Sequence, residues 1–363
     1  MQIAIDASSA FAKLRTGVEE YTYQILSEFK KIGAKHQFIL YLNNNVKIDL
    51  AKERENWPKN FEFSLISSRR MVINPLLSLD LLKTKPDVLW IPAQVMPALY
   101  YPKNTIVSIH GLEYEHFLQG YTWQEKKLLT WSTKFAAKHS KKVIAVSDYT
   151  KTDLIKFYQA DPGKISVVYN GFMPINNIHQ DHSNSSKYIL FIARLEPRKN
   201  VINLIKAFDL FKQKYRNNHE LYLAGAPGYE YRLFKEELYK LKYKDKIKEL
   251  GFVSEEEKHR LLTGASLFVF PSLAEGFGIP ILEAMSAGCP VISSNRTSLP
   301  EIGSNACLYF DPDNISDIAD KIQQVLPYKT IADDLRAKGY ERIKQFSWQK
   351  CARETLIEIE ETV

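Results

Sequence analysis

Short apolar runs alternate with amphipathic stretches along this chain, and the alternation occurs in two successive series. A helix from about Val18 to Lys31 follows the first run, and a helix from Val201 opens the second series. The runs are QIAIDA, QFILYL, DVLWIPA, TIVSIH, KVIAVS and ISVVYN in the first series, and YILFIA, ELYLAG, IKELGFV, SLFVFP and PVISS in the second. Such alternation is typical of parallel sheets with helical crossovers. We therefore predict an α/β fold with two Rossmann-like domains.

The domain boundary is predicted from a polar stretch near the middle of the chain. Because 363 residues exceed what one hydrophobic core usually serves, two domains are expected. Residues 173–187, MPINNIHQDHSNSSK, have no apolar period and are typical of a linker. We expect domains at residues 1–175 and 176–346. Residues 347–363 predict a helix with Ser347 as N-cap, packed on either domain, including back on the first.

The positive charge of the chain belongs to its first half. Lysine and arginine number 23 against 16 acidic residues up to residue 180, and 26 against 26 beyond it, which gives the net charge of +7. A basic domain attracts nucleic acid, anionic lipid or acidic substrates. The sequence has neither the aromatic signature of RNA-binding domains nor the ligand spacing of a zinc site. We therefore expect no nucleic-acid partner.

Three further features bear on localisation. The three cysteines are odd in number and widely spaced, as in a reduced cytosolic protein. The first residues, MQIAIDASSAF, lack the basic and apolar regions of a signal peptide and predict a strand. No apolar run approaches the ~18 residues of a membrane span. We expect a cytoplasmic protein, either soluble or peripheral at the inner face of the membrane.

The stretch PSLAEGFGIPILE, which ends at Glu283, combines two carboxylates with a glycine-rich turn. Pro280 suits the first turn of a helix, which would include Glu283. The glycines of GFG let a ligand approach the backbone, although they also serve in plain turns. Glu283 either binds a ligand or offsets the helix dipole. Glu275 directly follows a buried strand, where a carboxylate is costly unless something satisfies it.

A second cluster of charges follows the strand YILFIA. Arg194 and Lys199 precede a helix that Asn200 is expected to cap, and its apolar face includes Val201 and Phe208. Two cations beside a helix N-terminus form a diphosphate site or, alternatively, a solvated charge cluster. The chain has no Gly-rich P-loop and no G-x-G-x-x-G after its first strand. These absences count against an NTPase and a nicotinamide oxidoreductase.

Together these motifs resemble glycosyltransferase family 4, which has the GT-B fold. The resemblance rests on EGFGIPILE with its E-x7-E spacing, FIARLEPRKN, AGAPG, LGFVSEEE and SLPEIGSNACLYFDPDN, and in the first half on RTGVEEYTYQIL, SIHGLEYEHF, VIAVSDYTK and KISVVYNGF. It covers nearly the whole chain. It implies two Rossmann-like domains that face each other across a cleft, and retaining transfer of a sugar from a nucleotide diphosphate sugar without a bound metal or other cofactor.

The resemblance also implies roles for individual residues. Arg194 and Lys199 would hold the diphosphate, Glu283 the ribose hydroxyls and Val253 the region of the base. The donor hexose would be held by Glu275 and by the backbone of Gly276, Phe277 and Gly278. In the facing domain, His110 would lie near the reacting carbon, and Gly17 would bring a helix N-terminus close to the phosphates. Arg194, Lys199, Glu275 and His110 are thus the expected catalytic residues.

The sequence departs from the family pattern in two places. Ala193 stands where relatives often have glycine, and Glu19 or Glu20 replaces a second glycine in the TGVEEY loop, which puts the role of Gly17 in doubt. The sequence Asp311–Asp313 imitates a metal-binding DxD motif but is interpreted as a capping turn. The residues HGLEYEH lack the helical spacing of a zinc motif, so no metal site is expected. His110 is either an active-site residue or a core histidine.

A basic helix in the first half bears on the acceptor. Residues 123–142 predict a helix with Leu128, Trp131 and Phe135 on one face and lysines on its flank. This face is expected either to enter the core or to contact anionic lipid, as would suit a lipid-linked sugar acceptor.

We expect a hexosyltransferase that builds a polysaccharide or other glycoconjugate on a glycan or lipid-linked acceptor. GDP-mannose is the first expectation for the donor, and UDP-glucose or another UDP-sugar is the alternative. The rival functions are a GT-B sugar-nucleotide epimerase and a non-catalytic nucleotide-sugar-binding protein. Glu275 as a covalent nucleophile is a further alternative to an electrostatic role.

Overall fold

The computed structural model describes residues 1–13, 15–43, 46, 50–66, 75–117, 120–175, 187–215 and 217–363. Contacts within the chain divide it into two compact units. Unit 1 contains residues 1–112, 122–171 and 346–363, and unit 2 contains residues 113–121 and 172–345. Residues 176–186, most of the predicted linker, lie outside the described residues. Residues 113–121 group with unit 2 although the sequence predicted one continuous first domain up to residue 175.

Unit 1 is built on a seven-stranded parallel sheet with the strand order β3-β2-β1-β4-β5-β6-β7. The chain winds from β1 to β3 in one direction and returns to β4 on the other side of β1. The junction of β1 and β4 is therefore the point where the winding reverses. The strands are β1 (Gln2–Asp6), β2 (Gln37–Asn43), β3 (Phe61–Ile66), β4 (Val88–Ile91), β5 (Thr105–Ile109), β6 (Lys142–Ala145) and β7 (Ile165–Val167).

Helices between the strands cover the sheet of unit 1, and the first of them buries an apolar face. The helix α1 begins in a capping box formed by Thr16 and Glu19, and it buries Tyr21, Ile25 and Phe29 against the strands. The helices of the first 171 residues are α1 (Gly17–Ile32), α2 (Leu50–Asn56), α3 (Pro75–Thr84), α4 (Glu113–His116), α5 (Trp123–His139) and α6 (Asp148–Tyr158), of which α4 belongs to unit 2.

The C-terminal helix α14 (Trp348–Glu360) packs in unit 1, next to α1. Its N-cap is Ser347, whose hydroxyl accepts a hydrogen bond from the N–H of Lys350 at 3.1 Å, as the sequence predicted. Trp348 and Cys351 are buried in the core of unit 1. Gly171 permits this packing, because a Cβ at that position would lie 2.3 Å from the backbone nitrogen of Trp348.

Unit 2 repeats the plan with a six-stranded parallel sheet in the order β10-β9-β8-β11-β12-β13. Here the winding reverses between β8 and β11. The strands are β8 (Tyr188–Ile192), β9 (Glu220–Ala224), β10 (Ile247–Gly251), β11 (Leu267–Phe270), β12 (Val291–Ser294) and β13 (Cys307–Phe310). The helices between and after them are α7 (Val201–Lys214), α8 (Tyr231–Lys240), α9 (Glu255–Gly264), α10 (Ile279–Ser286), α11 (Leu299–Gly303), α12 (Ile315–Val325) and α13 (Lys329–Ile343).

Two local predictions in unit 2 were wrong. Asn200 does not cap α7 with its side chain, because it adopts a left-handed backbone (φ 58°) and donates its amide N–H to the carbonyl of Pro312 at 2.8 Å. Glu283 lies in the second turn of α10 and not in the first, because the helix already begins at Ile279. The predicted buried face of α7 is confirmed by Val201 and Phe208, which are both buried in the core of unit 2.

Candidate active site

The loops that follow β8 and β11 meet at the reversal point of the unit 2 sheet. In open parallel sheets, ligands bind beyond the carboxyl ends of the strands at such a point. The loop after β8 ends in a short 3-10 helix, Pro197–Lys199, and the loop after β11 contains Glu275. A backbone hydrogen bond from the N–H of Leu273 to the carbonyl of Arg198, 2.9 Å long, ties the two loops together.

Four charged side chains form an ion cluster where these loops meet. The ammonium group of Lys199 lies 2.5 Å from one carboxylate oxygen of Glu275, and the guanidinium group of Arg198 lies 3.3 Å from the other. Arg198 also pairs with Glu196 at 3.2 Å and donates to the carbonyl of Ala274 at 2.8 Å. The side chains are 12–20% exposed, so the cluster is largely desolvated but reachable from solvent.

Glu275 is held ionised by its surroundings. Burial alone would raise the pKa of this carboxyl, but Lys199, Arg198 and a hydrogen bond from Ser272 together lower the pKa to about 2. The hydroxyl of Ser272 donates to Glu275 at 2.5 Å. The expectation that a carboxylate after a buried strand must be satisfied is therefore confirmed for Glu275.

The backbone around Gly276, Phe277 and Gly278 is fixed by the loop after β12. The hydroxyl of Ser298 donates to the carbonyls of Glu275 at 2.9 Å and Phe277 at 2.7 Å. Gly278 has φ 121°, and a Cβ there would lie 2.9 Å from the side chain of Leu299, so glycine is required at this position. The glycine-rich loop therefore has one defined shape at the N-terminus of α10.

Glu113 reaches the same loop from α4. Its carboxylate accepts a hydrogen bond from the backbone N–H of Gly276 at 3.0 Å. Burial raises the pKa of the Glu113 carboxyl, and Arg198 and Lys199 oppose this change. A carboxyl oxygen of Glu113 thus accepts the hydrogen bond of a backbone N–H that the sequence assigned to a donor sugar.

Glu283 has a cationic partner that the sequence did not reveal. Lys258 of α9 contacts the carboxylate of Glu283 at 2.7 Å, and both side chains are about 15% exposed. Burial raises the pKa of the Glu283 carboxyl, and Lys258 opposes this in part. Val253 lies in the loop just before α9, so the Lys258–Glu283 contact ties the helix after Val253 to α10.

Arg194 does not join the ion cluster. Arg194 is exposed, and its side chain makes no ion pair in the part of the chain that the structure describes. Arg198, which the sequence did not single out, takes the position beside Glu275 instead. Arg194 therefore remains a cation available to a ligand, and its assignment to the diphosphate stays a prediction.

His110 and Gly17 both lie in unit 1. His110 follows β5, donates its Nε2–H to the carbonyl of Pro92 at 2.7 Å and packs edge-on against Tyr21. Burial is the main reason why the pKa of His110 is lowered, to about 4, so its ring is neutral at pH 7. Gly17 is the first residue of α1 and is exposed. Among the described residues, no atom beyond its chain neighbours and its own helix backbone lies within 4 Å of the position that a Cβ would take. The predicted donor contacts of both residues stay predictions.

The sequence Asp311–Asp313 forms a turn, in line with its interpretation. The N–H of Asp313 donates to Asp311 at 3.2 Å, and Arg296 contacts both carboxylates at 3.0 Å. Asn314 then caps α12. Over the described ranges, no group of three or more His, Cys, Asp or Glu side chains is placed to hold a metal ion.

The expectation that the apolar face of α5 enters the core was wrong for two of its residues. Leu128 is 46% exposed and Trp131 is 45% exposed, while the buried side of the helix consists of small residues such as Ala136 and Ala137. The helix also ends at His139, because Lys142 begins β6. None of the helices within the described ranges has the length and apolar character needed to cross a membrane.

Two Rossmann-like units with parallel sheets define the GT-B fold class, and solved structures agree. Sucrose-phosphate synthase of Thermosynechococcus elongatus superposes with a TM-score of 0.77 over 99% of this chain and 98% of that one, at 17% identity. Anabaena HepE, in complex with UDP and glucose, superposes with a TM-score of 0.72 over 99% of both chains, at 16% identity. At these identities the likeness concerns the fold alone.

Sequence comparison identifies the family. The model described as Glycosyltransferase Family 4 matches residues 15–173, and the model described as Glycosyl transferases group 1 matches residues 175–342. The chain therefore belongs to the family of group 1 and family 4 glycosyltransferases. It is 32% identical over 227 residues to O-antigen chain mannosyltransferase B of Escherichia coli, and this match covers 60% of this chain and 60% of the relative's length.

Proposed function

We propose that this protein transfers a hexose, with retention of anomeric configuration, from a nucleotide diphosphate sugar to a glycan or lipid-linked acceptor. The observation that carries the proposal is the contact between Lys199 and Glu275 beside the glycine-rich loop at the reversal point of unit 2. It puts a cation, a carboxylate and backbone N–H groups side by side where parallel sheets bind ligands.

The residues suit the chemistry of glycosyl transfer. When the anomeric bond breaks, negative charge stays on the nucleotide diphosphate and positive charge spreads over the sugar ring. Lys199 and Arg194 would stabilise the diphosphate, and the ionised Glu275 would accept hydrogen bonds from hexose hydroxyls. Charge stabilisation by these side chains removes the need for a bound metal, so we propose a metal-independent reaction. Glu275 would act by positioning and not as a nucleophile, because Lys199, Arg198 and Ser272 already engage its carboxylate.

For the donor, we propose GDP-mannose first. The support is the relationship to a relative named as an O-antigen chain mannosyltransferase. A UDP-sugar is the second candidate, because a structural neighbour was solved with UDP and glucose. In either case Glu283, with Lys258 as its partner, would bind the ribose hydroxyls, and Val253 would lie near the base.

The test is a thermal-shift panel of UDP, GDP, ADP and their sugars. We expect a shift that is selective for one nucleotide and is lost in Lys199→Ala and Glu283→Ala. Lys206→Ala is the matched control, because Lys206 forms an ion pair with Glu237 elsewhere in unit 2. If no nucleotide shifts the wild-type protein, the donor site is wrong. Products then separate the rivals: an epimerised donor indicates an epimerase, and binding without donor turnover indicates a non-catalytic protein.

We further propose that α5 makes a peripheral contact with an anionic membrane surface. Trp123 is 70% exposed, and the ring of Trp131 stacks on Phe135. The ammonium group of Lys127 lies 3.7 Å above the ring of Trp123. Trp123 and Trp131 line a groove of about 820 Å³ together with Lys126, Lys127 and Leu128. Tryptophan beside lysine is the composition of helices that lie in a membrane interface.

The positive charge of α5 favours an anionic lipid surface as its binding partner. The exposed side of α5 carries Lys127, Lys134 and Lys138, whereas Glu125, the only acidic residue of the helix, is engaged in the capping box with Thr122. Each lysine near an anionic surface contributes about 1 kcal/mol to binding. A lipid-linked acceptor would lie in the membrane surface that α5 contacts.

Liposome co-sedimentation at low salt tests the membrane contact. We expect enrichment on vesicles that contain phosphatidylglycerol over pure phosphatidylcholine, and loss of this enrichment in the double variant Trp123→Ser and Trp131→Ser. Tyr328→Ser is the control, because Tyr328 is an exposed aromatic residue of unit 2. Equal binding to both kinds of vesicle, or an unchanged double variant, would refute the contact.

A further inference from the structure

Tyr21 packs between the first helix of unit 1 and the strand that leads to His110. It belongs to α1 and is 1% exposed. Its ring lies edge-on against the imidazole of His110, with 4.5 Å between the ring centroids and 81° between the ring planes. The same ring packs against Trp348 of α14, with 6.2 Å between the centroids. Tyr21 therefore joins His110 to two helices of unit 1.

The hydroxyl group of Tyr21 fixes its ring relative to β5. A hydrogen bond of 3.1 Å joins it to the hydroxyl of Ser108, which also accepts the indole N–H of Trp90 at 3.1 Å. Ser108 lies in β5 and His110 directly follows this strand, and side chains two positions apart share one face of a strand. One tyrosine thus contacts both side chains, Ser108 with its hydroxyl and His110 with its ring.

His110 is held at a second point by the carbonyl of Pro92. Because a carbonyl only accepts hydrogen bonds, Nε2 carries the proton and the neutral ring keeps its lone pair at Nδ1. Burial lowers the pKa of His110 to about 4, while the Pro92 carbonyl and the carboxylate of Glu19 in α1 oppose this change. The Pro92 carbonyl fixes one atom of the ring but leaves rotation about that hydrogen bond open. The edge-on contact with Tyr21 fixes the plane.

The same contact ties His110 to the N-terminus of α1. Gly17 begins this helix, and Tyr21 follows four residues later, about 6 Å along the helix axis. Gly17 and His110 are the two residues of unit 1 for which the sequence predicts contacts with the donor. Tyr21 sets the spacing between them, because it belongs to the helix and touches the histidine.

We propose that Tyr21 is a positioning residue for glycosyl transfer, which holds the imidazole of His110 in one orientation and in register with the N-terminus of α1. The inference rests on the proposed function and adds to it a residue that acts only through His110. Loss of the Tyr21 ring should therefore change both the state of the His110 imidazole and the turnover number. Loss of the hydroxyl alone should have a much smaller effect, because the ring stays packed against His110 and Trp348.

Nitrogen-15 NMR of the imidazole rings measures the state of His110 without turnover. The His110 signals are assigned by their absence in His110→Gln. In the wild type we expect only the Nε2–H form at pH 7. In Tyr21→Leu water can reach the ring, so the pKa of His110 should rise from about 4 towards its ordinary value of 6.5, and the Nδ1–H form should appear. Tyr21→Phe keeps the ring contact and should give signals like those of the wild type.

Donor hydrolysis without an acceptor measures the effect on the reaction, with the donor that the thermal-shift panel selects. The kcat of Tyr21→Leu should fall about tenfold to hundredfold, because a displaced imidazole loses its alignment with the reacting atoms. Donor KM in Tyr21→Leu, and kcat in Tyr21→Phe, should stay within about threefold of wild type. Phe29→Leu is the matched control, because it removes a buried ring of α1 that contacts Phe38 and Trp90.

Tyr21→Met covers the case in which Tyr21→Leu does not fold, because methionine fills more of the vacated space but also lacks a ring. It should change the His110 signals and kcat in the same direction. Unchanged His110 signals or an unchanged kcat in the folded variants that lack the ring would overturn the proposal, as would equal effects in Phe29→Leu. Failure of the proposed function has a different signature, because the wild type would then consume no nucleotide sugar while the His110 signals still depended on Tyr21.

Discussion

The ammonium group of Lys199 lies 2.5 Å from the carboxylate of Glu275, although 76 positions separate the two residues in the chain. They meet because β8 and β11 are neighbours in the sheet, so the loops after these strands share one edge. In this ion pair Glu275 keeps a cation in place that would otherwise be costly to bury. The same cation is then positioned for the negative charge that develops on a leaving diphosphate.

Replacing Lys199 by alanine should lower the turnover number by roughly 10²-fold or more, by analogy with the loss of a preorganised oxyanion donor. Arg198 and Ser272 still hold Glu275, so the loop should keep its shape. The measurement is steady-state donor consumption with saturating nucleotide sugar, with Lys206→Ala as control. Turnover within about threefold of wild type would mean that Lys199 does not stabilise the transition state.

Acid unfolding should reveal the ion cluster through Glu275. Its pKa in the folded protein is about 2, below the ordinary value of 4.5. A carboxyl whose pKa is lower in the folded state stabilises the fold above its unfolded pKa, and this stabilisation is lost as the pH falls towards the folded pKa. The difference in unfolding free energy between wild type and Glu275→Gln should therefore shrink by roughly 3 kcal/mol from about pH 5 to pH 2.

Denaturant titrations at several pH values measure this difference. Glu113, Glu196, Arg198 and Lys199 lie around Glu275, and the charge of Glu275 itself raises the pKa of Glu113, so the comparison is repeated in a Glu113→Gln background. The exposed Glu256→Gln gives the baseline for loss of a carboxylate from unit 2. If the difference in unfolding free energy does not change with pH, the neighbours of Glu275 do not lower its pKa in the folded protein.

Alanine variants of Arg198 and Arg194 should affect different properties, the first the stability of the fold and the second donor binding. Arg198→Ala removes one partner from a desolvated ion cluster and should destabilise the protein by about 3 kcal/mol. Arg194→Ala removes an exposed side chain and should leave the unfolding free energy within about 0.5 kcal/mol of wild type. Arg194→Ala should nevertheless weaken binding of the nucleotide diphosphate in isothermal titration calorimetry. Equal stability losses in the two variants would contradict the different roles.

The alternation of strands and helices was enough to predict two parallel-sheet units, because buried parallel strands form continuous apolar runs. Two strands escaped the sequence analysis. In β3 the pattern FEFSLI alternates buried and exposed residues, as expected for a strand at the sheet edge, and β13 (CLYF) is short and only partly buried. The assignment of residues 113–121 to unit 2 depends on long-range contacts, for which a periodic pattern carries no signal.

At the site, residue types were predictable but pairings were not. The sequence marked Lys199, Glu275 and Glu283 because charges directly after buried strands or beside a glycine turn are unusual. It did not mark Arg198 or Lys258, since each lies in a run of charged residues that looks like a solvated surface. Only the strand order and the packing of α9 on α10 show which of these cations is buried against a carboxylate.

Glu113 should act as a competitor of the donor. Its carboxyl group accepts the hydrogen bond of the Gly276 N–H and lies near Lys199 and Arg198. It therefore competes with a diphosphate for these cations and blocks a backbone N–H that could bind a sugar oxygen. Glu113→Gln keeps the size of the side chain but removes the charge, and we expect the Kd of the selected nucleotide diphosphate to fall about threefold to tenfold. Glu115→Gln, which removes the same charge from the same short helix, controls for net charge. Calorimetric titration of both variants measures the effect, and a Kd that rises in Glu113→Gln would instead identify Glu113 as a residue that supports donor binding.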